Sequence, residues 1–355
     1  MSESTTAHSL STALKGRGFV HPLFDYLLIG GGLSLVVTAI VVANPDGVRL
    51  VTLSTLPFFV LLSNSAHFAA STVRLYSKPD AYRTWPFLTM AFPLVALVIL
   101  TVCMFQAGRL GPHLQSLYLT WSPYHYAAQA YGLAVVYSYR SGCRLADADK
   151  KLLRWVSLLP FFFNFITAPE VGLQWLAPQA LLANAQLQSG LLFLRTTLIV
   201  LALAGPLLLF VKVWRSASGP MPLISILTVV TNGIWFFTLP PLDAFVYATV
   251  FHGVQYLAIV IIFHVKDQLS RPENRRGRLY HVVWFYGASL LLGYGLFNCL
   301  PLAYVLAGFG RVESVLLVVA AINLHHFIVD GYVWRLRKGD SNRRVVESGA
   351  PLVPA

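Results

Sequence analysis

The stretch NLHHFIVDGYVWRLRK, Asn323 to Lys338, sets two adjacent histidines, His325 and His326, inside an apolar run that extends back to Val315. Asp330 follows one helical turn after His326, and Trp334 with five basic residues between Arg335 and Arg344 closes the run. A long apolar run ended by an aromatic residue and a basic cluster reads as a membrane span with a cytoplasmic end. Imidazoles inside such a span are costly to bury without partners, so by default they mark function. Neighbouring residues diverge by about 100° around a helix. His325 and His326 therefore do not both reach one metal from a regular helix unless they straddle it.

The rest of the chain has the same character. Of 355 residues, 56% are hydrophobic and only 11% charged, with a mean hydropathy of +0.65. A soluble domain carries about a quarter charged residues. The net charge of +12 would suggest a nucleic-acid partner in a soluble protein. Here the basic residues sit in loops between apolar runs, and no nucleic acid is implied. Cys103, Cys143 and Cys299 have no metal or haem-attachment spacing and cannot all pair, so no disulfide framework is expected. Residues 1–20 are polar, without the apolar core and cleavage site of a signal peptide.

Ten spans can be counted, at roughly 23–44, 49–72, 86–106, 113–138, 152–168, 189–212, 221–240, 242–266, 282–306 and 313–334. With loops assigned alternately to the two sides, 22 of the 26 basic residues fall on one side. Arg49, Arg109 and Arg311 lie on the other, and Arg195 lies within the sixth span. This asymmetry predicts an all-α polytopic bundle with both termini cytoplasmic, in a bacterial inner membrane. The expected organisation is a polar segment over 1–20, one transmembrane domain over 21–338 and a disordered tail over 339–355. The apolar stretch 172–190 reads as a re-entrant or interfacial helix. Gly30-Gly31-Gly32 has no strand–helix context and reads as helix packing, not a nucleotide loop. Arg195 suggests snorkelling or a buried ion pair, and Asn232 an interhelical hydrogen bond.

Depth follows from about 1.5 Å of rise per residue. His125 lies fifteen residues before Arg140 and His252 fourteen before Lys266, which places both near mid-membrane. His67 lies seven residues before Arg74, and the His325-His326 pair lies between those levels. Their four spans run in the same direction, so their imidazoles can meet if the helices are neighbours. His21 opens the first span at the cytoplasmic face. Polar companions follow a turn later: Asp25 after His21, Gln129 after His125, Gln255 and Tyr256 after His252, Asp330 after His326. That is the pattern of metal-ligating histidines whose rings are oriented by a carboxylate or amide. Each histidine alone could equally bridge two helices, but four spans supplying imidazole without mid-membrane carboxylates favours a metal site. His264 and His281 read as interfacial; His8 and His113 as background.

A donor set rich in imidazole and free of thiolate suits iron, copper or zinc. Within hydrocarbon such a site meets lipophilic molecules and dissolved dioxygen, which makes non-haem iron oxidation of a lipid or isoprenoid the first expectation. Zinc hydrolysis lacks a deep general base. No dinucleotide or flavin fingerprint is present, so electrons, if needed, come from an external donor. His21-Pro22-Leu23-Phe24-Asp25, Ser65-Ala66-His67-Phe68 and the later intramembrane histidines resemble the Brp/Blh type of carotene dioxygenase. The resemblance implies an iron-requiring membrane protein that cleaves an isoprenoid, with His21 and His67 as ligands. The HxxxH and HxxHH boxes of membrane desaturases are missing. A second expectation is a haem- or copper-binding redox protein built like a haem–copper oxidase, with His67 and His252 as haem ligands. The chain is short for that family and lacks its His-Pro-Glu-Val-Tyr stretch. A metal or proton transporter is third; the outer leaflet offers it almost no polar path.

Overall fold

The computed structural model describes residues 14–44, 60–216, 219–334 and 341–347, and these are helical, with no strand among them. Expectations for residues 1–13, 45–59, 335–340 and 348–355 lie outside the described residues. These cover His8, the first part of the second span and the basic cluster at Arg335, Arg337 and Lys338.

Among the described residues, five helices are long and apolar enough to cross a membrane: α4 (Phe87–Phe105), α7 (Ala185–Trp214), α9 (Pro241–Leu269), α10 (Arg278–Leu306) and α11 (Arg311–Val333). They coincide with the predicted third, sixth, eighth, ninth and tenth spans. The first predicted span is a bent pair, α1 (Pro22–Ile29) and α2 (Gly32–Ala43), at 53° to each other. Of the second, the described part is a π-helical turn, Val60–Ser65, followed by α3 (Ala66–Tyr76). The fourth is the long helix α5 (Ala107–Arg140). The fifth is α6 (Asp147–Thr167), with five charged residues in its first eight positions, and the seventh is the 16-residue α8 (Leu223–Thr238). The stretch 172–190 forms two short helical segments, Gly172–Leu176 and Gln179–Leu182, before α7 begins.

Gly30-Gly31-Gly32 is where the first span breaks, rather than a packing face within a straight helix. Gly31 adopts φ +79°, and a Cβ there would stand 2.4 Å from the Thr231 hydroxyl. Only glycine meets both demands at low cost.

The chain forms two compact units. The first comprises Met1–Leu50, Pro123–Gln255 and Val346–Ala355; the second comprises Val51–Ser122 and Tyr256–Val345. In the first, α6 packs along α7 and α8, and α8 meets α2. The core there includes Leu153, Val156, Leu209, Val213 and Val229. Asn232 reaches from α8 to the Ser157 carbonyl of α6, the interhelical role expected of it. Arg195 Nη2 donates to the Ile166 carbonyl at 3.1 Å, where a buried ion pair was one of the two expectations. A cation at the C-terminal turn of α6 meets carbonyls that lack intrahelical donors and the negative end of the helix dipole.

In the second unit α3 packs against α10 and α11, and α4 against α11. Gly293 of α10 allows the close approach, since a Cβ there would lie 2.7 Å from the Ser65 carbonyl oxygen. Within the segment expected to be a disordered tail, Ser341–Glu347 form α12. Asn342 pins it by donating to the Val333 carbonyl at 2.6 Å and accepting from Arg74. Arg74 is in turn ion-paired with Asp267 at 3.2 Å. A buried guanidinium needs these acceptors, and the tail supplies one of them.

Candidate metal centre

In the second unit α3 presents His67 and Ser71, four residues apart and so on one face, and α11 presents His326 and Asp330 in the same relation. The His67 and His326 rings meet edge to face with centroids 4.5 Å apart, both essentially buried. Ser71 Oγ lies 2.9 Å from His326 Nδ1. Asp330 Oδ2 lies 3.7 Å from His326 Nε2, which is beyond hydrogen-bond length. The serine hydroxyl therefore orients the ring through Nδ1 and turns Nε2 to the side of the carboxylate.

Asp330 was expected to orient His326 from behind. One of its oxygens instead lies within 4.8 Å of the imidazole's ligand atom, which makes it a candidate ligand itself. Its other oxygen accepts from the Tyr256 hydroxyl at 2.5 Å, and the Trp334 indole N–H donates to that hydroxyl at 3.3 Å. Tyr256, expected as a companion of His252, packs its ring on His67 with centroids 4.6 Å apart. Ser71 and Trp334 were not anticipated as partners. Ser71 could have been found from its i+4 position relative to His67; nothing local to Trp334 points to Tyr256.

His325 diverges from His326 as the helical rotation requires. It stacks on Phe92 at 4.8 Å and 9°, half-buried, and its Nε2 has no hydrogen-bond partner among the described residues. Of the adjacent pair, His326 is the residue brought to His67.

In the first unit His125 and His252 are both buried, with ring centroids 5.0 Å apart and ligand atoms within 4.8 Å. Tyr126 packs on His252 at 4.4 Å, and its hydroxyl bonds the Thr249 hydroxyl at 2.9 Å. The amides expected to orient these rings do something else. Gln129 donates to Gln255 at 2.8 Å, and Gln255 donates to the Ile29 carbonyl at the helix break. An amide pair that closes on itself and on an orphaned carbonyl satisfies helix-end groups, which outweighs any contact with imidazole.

His21 and Asp25 form a structural element. His21 is exposed and caps α1, its Nδ1 accepting from the Leu23 N–H at 3.2 Å. Asp25 is fully buried and accepts from the backbone N–H groups of Phe19, Val20 and His21 at 2.6, 3.0 and 3.1 Å. The Tyr137 hydroxyl adds a fourth bond at 2.7 Å. This carboxylate folds the chain entering α1 and is not directed at the His21 imidazole. His264, expected with His281 at the membrane interface, stacks on Trp284 with ring planes 15° apart. His281 Nε2 lies 2.8 Å from Asn274 Oδ1.

Each unit thus holds two buried imidazoles side by side, and the second adds a carboxylate. Among the described residues, groups of three drawn from these buried histidines and Asp330 have ligand atoms within 4.8 Å of one another and could hold a metal ion. The nitrogen–oxygen donor set, without thiolate, suits a transition metal over magnesium or calcium. No protein-family model matches the chain, and neither does any curated protein or solved structure.

Proposed function

We propose that the chain is an integral membrane metalloenzyme of ten spans with cytoplasmic termini, iron-dependent and dioxygen-using, that oxidises or cleaves a lipid or isoprenoid. The observation that carries it is the pairing of His67 with His326 beside Asp330 in helices of apolar character. Two imidazoles and one carboxylate are the donor composition of non-haem iron oxygenases. Iron held by them would supply dioxygen activation. Around it Ser71 keeps the His326 ring oriented, Tyr256 and Trp334 hold Asp330 in place, and Phe68, backed by Phe297, packs against both the His67 and His326 rings. His125 and His252 are the second pair of ligands in this proposal.

The resemblance to Brp/Blh-type carotene dioxygenases points to the same chemistry; His67 stands in a histidine pair, whereas His21 is a helix cap. The apolar outer halves of the histidine-bearing spans favour a lipophilic substrate that enters laterally from the bilayer, with electrons, if required, from an external donor.

Detergent-purified protein should carry about one or two iron ions per chain by elemental analysis and consume oxygen with members of a lipid and isoprenoid panel. Stoichiometric zinc in place of iron, an intense Soret band from haem, or turnover confined to water-soluble compounds would overturn the proposal.

A further inference from the structure

The helix break in the first unit borders a cavity of about 10 Å³, lined by Gly31, Ser34, Thr231, Trp235, His252 and Gln255 among others. Irregular backbone at membrane depth is tolerated where it is buried in protein or lines a polar space. Most polar groups at this break are already committed. The Ser34 hydroxyl donates to the Gly31 carbonyl at 2.7 Å, Thr231 donates to the Gly30 carbonyl at 3.2 Å, and Gln255 donates to Ile29. Trp235 is the exception. It is 4% exposed and stacks on Phe251, yet its indole N–H has no hydrogen-bond partner among the described residues.

A buried indole N–H nearly always has an acceptor. The occupant of this cavity must therefore accept a hydrogen bond, and the volume admits roughly one water-sized molecule. A cation does not suit an N–H donor, and water is the smallest acceptor such a volume takes. We infer that the cavity is a binding site for a single water molecule that accepts from Trp235 Nε1–H and hydrogen-bonds the His252 imidazole. Leu28, also on the lining, sits in the last turn of α1, where carbonyls run out of intrahelical donors. Such a carbonyl offers the water a third partner, within the range usual for buried waters. The water makes Trp235 a positioning residue for His252, the role that Gln255 was expected to fill. That last step rests on the proposed metal site; the water site itself does not.

Ile234-Trp235 is the only Ile–Trp pair in the sequence, so residue-pair isotope labelling identifies Trp235 in the full chain in micelles without mutation. The expected result, in metal-free protein, is a Trp235 indole resonance with a cross-peak to water and slow solvent exchange. A Trp235 indole with no contact to water overturns the site. W235F should remove the cross-peak, alter the His252 ring-nitrogen shifts and lower iron retention about ten-fold. Unchanged His252 shifts in W235F overturn the positioning role. If wild type binds no iron while the cross-peak is present, the metalloenzyme proposal fails and the water site stands.

Discussion

The two histidine pairs are built from the same residue type and surrounded differently. His67 and His326 sit among hydrogen-bonding side chains: Ser71 on one ring, and Asp330 within reach of the same ring, held by Tyr256 and Trp334. His125 and His252 sit among aromatic rings and beside the small cavity. Identical imidazoles are therefore held by hydrogen-bonding side chains in one unit and by aromatic packing in the other. Ligands whose rings are fixed by hydrogen bonds retain metal better, so His67 and His326 should dominate metal affinity.

The largest expected effect tests that ranking. H67A/H326A should abolish stoichiometric iron by elemental analysis, whereas H125A/H252A should reduce it; equal loss in both would break the comparison. Asp330→Asn removes the charge and keeps the shape. Iron retention against a chelator should fall by a hundred-fold or more if the carboxylate is a ligand, and by about ten- to a hundred-fold if it acts only from behind a ligand. An unchanged value would reduce Asp330 to a helix-end residue.

Asp25→Ala separates folding from metal binding. It strands three backbone N–H groups and a tyrosine hydroxyl, so thermal stability should drop by about 2–4 kcal/mol, while iron per folded protein stays constant. Ser71→Ala should cost a further few-fold in iron retention, as His326 loses the bond that orients it. Smallest of all, His325→Ala should leave metal content unchanged. A loss there would mean that the ring stacked on Phe92 turns inward in the functional protein.

Much of this was legible along the chain because it depends on near neighbours. Helicity, the apolar helices long enough to cross a membrane and the divergence of His325 from His326 all follow from hydropathy and a 3.6-residue period. So does the proximity of His326 to Asp330, one turn away on the same helix. Gln129 and Gln255 show the limit of that reasoning. Both stand on the expected faces, yet the amides bond each other and a carbonyl exposed at a helix break nearly 230 residues away in sequence.

Which histidine meets which was decided by packing. His67 and His326 are separated by 259 positions, and nothing local to either names the other. Their meeting depends on α3 lying against α11, with Gly293 letting α10 close on the start of α3. Side-chain periodicity reports the direction in which a residue points, whereas a ligand set requires several helices to agree on position. That agreement comes from small-residue contacts and interhelical hydrogen bonds, and only the folded chain contains them.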